Sequence, residues 1–145
     1  MLKINFKKVF DELEKMFPDA KVELEWNNPF QLLLAVILSA QATDKQVNKA
    51  TNTFFNYIKT PRDILNYCKD SKNDECPWLQ KQIRTIGLYK SKARNILKLS
   101  KILAKISSQG KEASDKYCQD EKCREIYYKY GYIIPDKLSQ LVKLP

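Results

Sequence analysis

Apolar residues recur at helical spacing along nearly the whole chain. Phe6, Val9, Phe10, Leu13 and Phe17 fall on one face of a first helix, which Phe17-Pro18 ends. Glu23-Leu24-Glu25-Trp26 reads as a short extended linker. Asn28-Pro29 is a start signal, with Asn as the cap and Pro in the first helical position. The helix it opens, roughly residues 29–40, is apolar on nearly all sides, as expected of a helix wrapped by others. Thr43-Asp44-Lys45-Gln46 reads as a capping box for a third helix, whose buried face is Val47, Ala50, Phe54 and Ile58. Thr60-Pro61-Arg62-Asp63 marks a fourth.

Residues 68–76, CKDSKNDEC, form a polar loop. Pro77 opens a helix carrying Leu79, Ile83 and Ile86, with Gly87 as its expected C-terminal cap. A long helix runs from about 89 to 107 and ends in Ser107-Ser108-Gln109-Gly110. The pattern weakens over 111–132, which holds Tyr117, Tyr127, Tyr128, Tyr130 and Tyr132, with a helix expected at about 120–130. These tyrosines suit packing better than base stacking. Pro135-Asp136 would start a last short helix with Leu138, Leu141 and Val142. The predicted class is all-α, with seven or eight helices.

Composition narrows this picture. A chain of 145 residues can build one domain with its own core. Three Gly and six Pro are too few for a sandwich or barrel with many tight turns. The longest apolar run, Leu32 to Ala40, is less than half the ~20 residues a membrane span requires. The first fifteen residues are amphipathic and lack the pattern of a secretory signal. A cytosolic chain is therefore expected, and with it four reduced thiols at Cys68, Cys76, Cys118 and Cys123. Zinc held by these cysteines is the alternative, although only Cys118 and Cys123 have a zinc-like spacing. The chain has no His, which excludes Ser-His and Cys-His nucleophile chemistry.

The net charge of +9 is concentrated: residues 77–116 hold ten bases and two acids. Lys81, Arg84, Lys90, Lys92, Arg94, Lys98, Lys101 and Lys105 follow one another with no acid between them. Lys90, Arg94, Lys98, Lys101 and Lys105 share one helix face, opposite Ile96, Leu99, Leu103 and Ile106. Solvated faces normally mix signs, so an unmixed stripe favours a polyanion partner. The apolar face carries no Trp or Phe for lipid insertion, which favours nucleic acid over a membrane. Lys outnumbers Arg 22 to 4, a balance suited to phosphate contacts rather than bidentate base reading.

Two connections flank the central helix and the basic region: Ser39-Ala40-Gln41-Ala42-Thr43-Asp44 and Thr85-Ile86-Gly87-Leu88-Tyr89. Taken alone, Gln41 is a turn amide and Leu88 a hydrophobic contact beyond a glycine. Taken with Asn28-Pro29-Phe30, LLLAVILSAQATD (32–44), QVNKAT (46–51), Thr60-Pro61 and IRTIGLYKSKARNI (83–96), they closely resemble the endonuclease III branch of the helix-hairpin-helix DNA glycosylases. The resemblance covers residues 8–107 and returns at 133–145. It implies an incomplete six-helix domain over 22–145, with insertions near 68–76 and 108–132. Residues 1–21 would be an N-terminal helix that packs with the iron–sulfur cluster segment in the family.

The resemblance also implies a function, base excision repair on double-stranded DNA. The family removes oxidised pyrimidines and cleaves the abasic site, flipping the target base out of the stack. Gln41 would enter the gap left by the flipped nucleotide, and Leu88 would wedge beside the orphaned base. Lys90, Lys92, Arg94 and Lys98 would contact DNA. Ser39 and Asp44 would lie at the pocket wall, although Asp44 serves equally well as a helix-start acid. Ile37 stands where adenine-removing relatives place a glutamate, which favours the pyrimidine-lesion branch.

The family's catalytic parts follow a Leu-Pro such as Leu144-Pro145. They are a Gly-x-Gly hairpin, a Schiff-base lysine and an aspartate, and a four-cysteine iron–sulfur segment comes after them. None lies within these residues, and Cys68, Cys76, Cys118 and Cys123 do not match the cluster spacing. The 145 residues alone are therefore expected to hold no metal or cluster and to be inactive as DNA glycosylase and abasic-site lyase. A non-catalytic DNA-binding module and a degenerate fragment are the alternatives. Without the family's later helices, the Phe6, Val9 and Phe10 face and part of the Leu32–Leu38 helix should be exposed. The chain should then be marginally stable, and a reversible, cooperative melt above about 60 °C would contradict this.

Overall fold

The computed structural model describes residues 6–19, 21, 23–118 and 120–134. They form eight helices: α1 (Phe6–Met16), α2 (Pro29–Ser39), α3 (Asp44–Tyr57), α4 (Pro61–Tyr67), α5 (Pro77–Gln82), α6 (Tyr89–Ser107), α7 (Lys111–Tyr117) and α8 (Glu121–Tyr130). Among the described residues there is no strand beyond a single bridge between Lys72 and Glu75. The all-α class is as the periodicity predicts. The helix expected from Pro135 lies outside the described residues.

The start signals work by the chemistry that identified them. Asn28 Oδ1 accepts from the Gln31 amide at 3.0 Å, with Pro29 next in the chain. Thr43 and Gln46 exchange side-chain and backbone bonds at 3.3 and 3.1 Å. Thr60 and Asp63 do the same at the start of α4. Each cap satisfies backbone donors that would otherwise have no partner, at about 1 kcal/mol apiece.

The core forms around α2, which packs against α3 and α6. Phe30, Leu34, Ala35 and Leu38 are fully buried, as are Val47, Phe54 and Ile58 of the third helical segment and Ile96 and Leu103 of α6. Ala50 and Leu99, both expected inside, are only half-buried. The buried Gln31 ties α2 to the end of α3: its amide nitrogen donates to the carbonyls of Phe55 and Ile58 at 2.9 and 2.8 Å. The Tyr132 hydroxyl reinforces the start of α2, donating to Asn28 Oδ1 and accepting from the Phe30 amide, both at 3.1 Å. Burial pushes its phenol up to about 12. Tyr132 thus packs rather than stacks on bases, whereas Tyr128 is exposed.

Two expectations are corrected, and one open segment is assigned. First, Gly87 caps nothing: α5 ends at Gln82 with Ile83 as its cap, and the left-handed turn falls on Leu88 instead. Second, the pattern over 111–132 gives no assignment for residues 111–117, and the structure makes them helical, with Ala113, Ser114 and Tyr117 buried. Third, the thiols are neither reduced nor arranged for zinc: Cys68 pairs with Cys76 and Cys118 with Cys123. Cys68 caps the end of α4 and Cys76 caps the start of α5. The intervening chain reverses at the Lys72–Glu75 bridge, which brings the two Cα atoms to 5.3 Å, within disulfide reach. Spacing in the sequence carries no trace of that reversal.

One side of α2 stays open. Val36 is 52% exposed, and Leu32, Leu33, Cys123, Ile126 and Ile134 help line an apolar groove of about 400 Å³ beside it. On α1 and just beyond it, Val9, Phe10, Leu13, Met16 and Phe17 are all largely exposed.

Candidate nucleic-acid interface

The site is built where α2 hands over to α3 and where α5 hands over to α6. Gln41 and Leu88 lie in these two connections, and both adopt left-handed backbone, with φ of 57° and 58°. That conformation is costly for a residue with a Cβ, by about 1–2 kcal/mol. Both side chains are exposed, Leu88 by 64%. The connections adjoin: a Cβ placed on Gly87 would lie 4.0 Å from the Gln41 carbonyl oxygen. Two strained residues therefore sit side by side and face solvent, a combination that folding alone does not reward.

Lys92 explains how the pair is held, and it corrects the reading of Lys92 as a DNA contact. Its ammonium donates to the carbonyls of Leu38 and Ala40, at 2.9 and 2.5 Å. Only 6% of the residue is exposed, and burial pulls its ammonium below the usual lysine value. The carbonyls are the unpaired acceptors at the end of α2, where a cation is also favoured by the helix dipole. Lys92 thus ties the Gln41 connection to α6 from the inside. The physical reason was available in the sequence. At roughly 100° per residue, Lys92 points away from the Lys90–Lys105 stripe.

Ser39 and Asp44 flank Gln41. The Ser39 hydroxyl donates to the Val36 carbonyl at 2.8 Å. Asp44 is the half-buried first residue of α3, as suits a helix-start acid. Ile37 is half-buried and packs against the core.

The basic stripe is present, and Lys90, Arg94, Lys98, Lys101 and Lys105 are all exposed along α6. It is not unmixed, however. Arg94 meets Glu75 at 3.2 Å, and Asp74 meets Lys101 at 2.6 Å and Lys98 at 3.9 Å. These acids come from the 68–76 loop, which the linear charge count sets apart from α6. Lys90 and Lys105 have no ion pair among the described residues. No described helix is long and apolar enough to cross a membrane.

Comparisons with known proteins agree with this geometry. The family model for HhH-GPD superfamily base excision DNA repair proteins matches residues 34–142. Endonuclease III of Bacillus subtilis (strain 168) is 37% identical over 145 aligned residues, covering 98% of this chain and 52% of the relative. Endonuclease III of Haemophilus influenzae is 48% identical over 90 residues, 62% of this chain and 39% of the relative. Among solved structures, a non-covalent endonuclease III–DNA complex superposes with a TM-score of 0.62 at 38% identity, covering all of this chain and 54% of that one. The chain thus spans about half the length of the curated relatives it matches. The chain belongs to the HhH-GPD superfamily of base excision DNA repair proteins.

Proposed function

We propose that these residues are the DNA-gripping part of a base excision repair DNA glycosylase and abasic-site lyase acting on oxidised pyrimidines. The observation that carries the reading is the adjoining pair of exposed, left-handed residues, Gln41 and Leu88. Gln41 fills the gap left by a flipped nucleotide, and Leu88 wedges beside the orphaned base. Lys90, Arg94 and Lys98 hold the phosphate backbone, while Lys92 positions the Gln41 connection rather than touching DNA. Ser39 and Asp44 stand beside the flipped nucleotide. The relatives support this reading, being endonuclease III proteins, one of them solved with DNA. The place of action is the compartment that holds the DNA: the cytoplasm, at the nucleoid in a bacterium.

The 145 residues grip DNA without turnover, because they contain no Gly-x-Gly hairpin and no lysine following one. The test is binding to a duplex containing an abasic-site analogue, measured across salt concentrations. Changing Arg94, Lys98 and Lys101 together to Ala should weaken affinity about tenfold or more at low salt and flatten the salt dependence. Unchanged affinity rules the reading out. Borohydride treatment with abasic DNA should trap no adduct. An adduct would reveal a nucleophile within these residues.

A further inference from the structure

The middle of α6 is already occupied by carboxylates, and the segment that delivers them is built to hold its shape. Residues 72–75 form a tight turn, with the Glu75 amide donating to the Lys72 carbonyl at 2.9 Å. Its two central residues, Asn73 and Asp74, have φ of 53° and 59°, the paired positive values of a type I′ hairpin turn, which Asn and Asp tolerate best. The Cys68–Cys76 disulfide closes the base of the hairpin. Its two ends are the caps of α4 and α5, and both helices pack against α6. The hairpin is therefore rooted beside α6 at both ends, and its acids are aimed rather than loosely tethered.

Asp74 bridges Lys98 and Lys101, and Glu75 takes Arg94. Three of the five stripe cations are covered, and the two at the ends, Lys90 and Lys105, have no such pair among the described residues. The hydrogen bond from Lys101 lowers the Asp74 carboxyl from the ordinary aspartate value. Exposed ion pairs of this kind add little to folding stability. Their larger effect falls on any anion that needs the same cations.

We propose that the 68–76 hairpin is a built-in acidic lid that occupies the phosphate-binding stripe of α6, so that duplex DNA must displace Asp74 and Glu75 to engage Arg94, Lys98 and Lys101. This rests on the DNA-binding reading above and adds a means of regulating it. DNA first meets Lys90, beside the Leu88 connection, and Lys105 at the far end. Full engagement still releases counterions from the DNA, but the freed Asp74 and Glu75 carboxylates attract cations back from solution, which offsets part of that release. Wild-type binding is then both weaker and less salt-dependent than the number of cations implies.

The test uses the full 145-residue chain and a fluorescent duplex with one abasic-site analogue, titrated from 50 to 300 mM NaCl. Asp74→Asn with Glu75→Gln should raise affinity about 5- to 20-fold at the lowest salt and steepen the salt slope by about 1–2. Cys68→Ser with Cys76→Ser should shift affinity in the same direction by opening the hairpin. Ser can keep the cap of α5. Glu121→Gln with Glu125→Gln on α8, an equal change in net charge, should gain less than twofold.

An equal gain from the α8 pair overturns the lid, since the effect would then be net charge alone. So does a gain that persists when Arg94, Lys98 and Lys101 are Ala, or an unchanged slope in Asp74→Asn/Glu75→Gln. If wild type binds DNA and the triple-Ala variant does not, while Asp74→Asn/Glu75→Gln matches wild type, the lid fails and the DNA reading stands. If no variant binds DNA, both fall.

Discussion

Lys92 and Lys101 stand nine residues apart on α6, about two and a half turns, and so on opposite faces. One is buried, with its charge spent on the carbonyls of Leu38 and Ala40. The other is exposed and paired with an acid from a distant loop. In a linear charge count they are identical. In the fold, the first is an internal brace for the Gln41 connection, and the second belongs to an exposed basic stripe partly covered by carboxylates. Counting cations therefore overstates the exposed, unpaired positive charge, first by the lysine that points inward and then by those already paired.

The sharpest way to break this contrast is to remove each charge in turn. Lys92→Met keeps the length of the side chain but leaves two carbonyls without their donor. It should cost about 2–3 kcal/mol in denaturant unfolding. Lys101→Met should leave Tm within about 2 °C of wild type, as expected of an exposed pair. If the two variants unfold alike, the distinction between brace and surface is wrong.

The opposite end of α2 offers a second comparison, because it is pinned by a phenol rather than an ammonium. Tyr132 is held neutral up to about 12, whereas an unfolded tyrosine ionises near 10. Its contribution is present below pH 10 and is lost as pH rises from about 10 to about 12. A stability loss of about 1–2 kcal/mol should appear in that window. Tyr132→Phe should abolish that dependence, and a Tyr132→Phe variant that keeps the full alkaline loss would assign the titration to another group.

The smallest effect concerns Leu88. Leu88→Asn places a residue that tolerates left-handed backbone at this position and removes the wedge. Stability should rise by about 0.5–1 kcal/mol while affinity for abasic-site DNA falls. If both fall together, Leu88 is a packing residue and its strain has no bearing on DNA.

Much of the molecule was legible along the chain. Asn28-Pro29, Thr43 with Gln46, and Thr60 with Asp63 announce α2, α3 and α4, because capping is local chemistry completed within four residues. The apolar girth of 29–40 announces the central helix for the same reason that it is buried. Gln41 and Leu88 could be singled out by resemblance, but not their left-handed backbone or their adjacency. The glycine beside Leu88 suggested that Gly87 would take the unusual conformation, and the structure gives it to Leu88 instead.

The sequence by itself determined most of the helical segments, where several of them start, and that one of them carries an unbroken run of bases. Periodicity and capping depend only on neighbours along the chain. Tertiary structure alone decided that Asp74 and Glu75 lie against three cations of the α6 stripe, and that four cysteines close into two local bridges. Those outcomes depend on distances between residues far apart in the chain or across a reversed turn. The ion pairs are set by how α4, α5 and α6 pack, and the bridges by the turns between α4 and α5 and between α7 and α8; no local pattern encodes either.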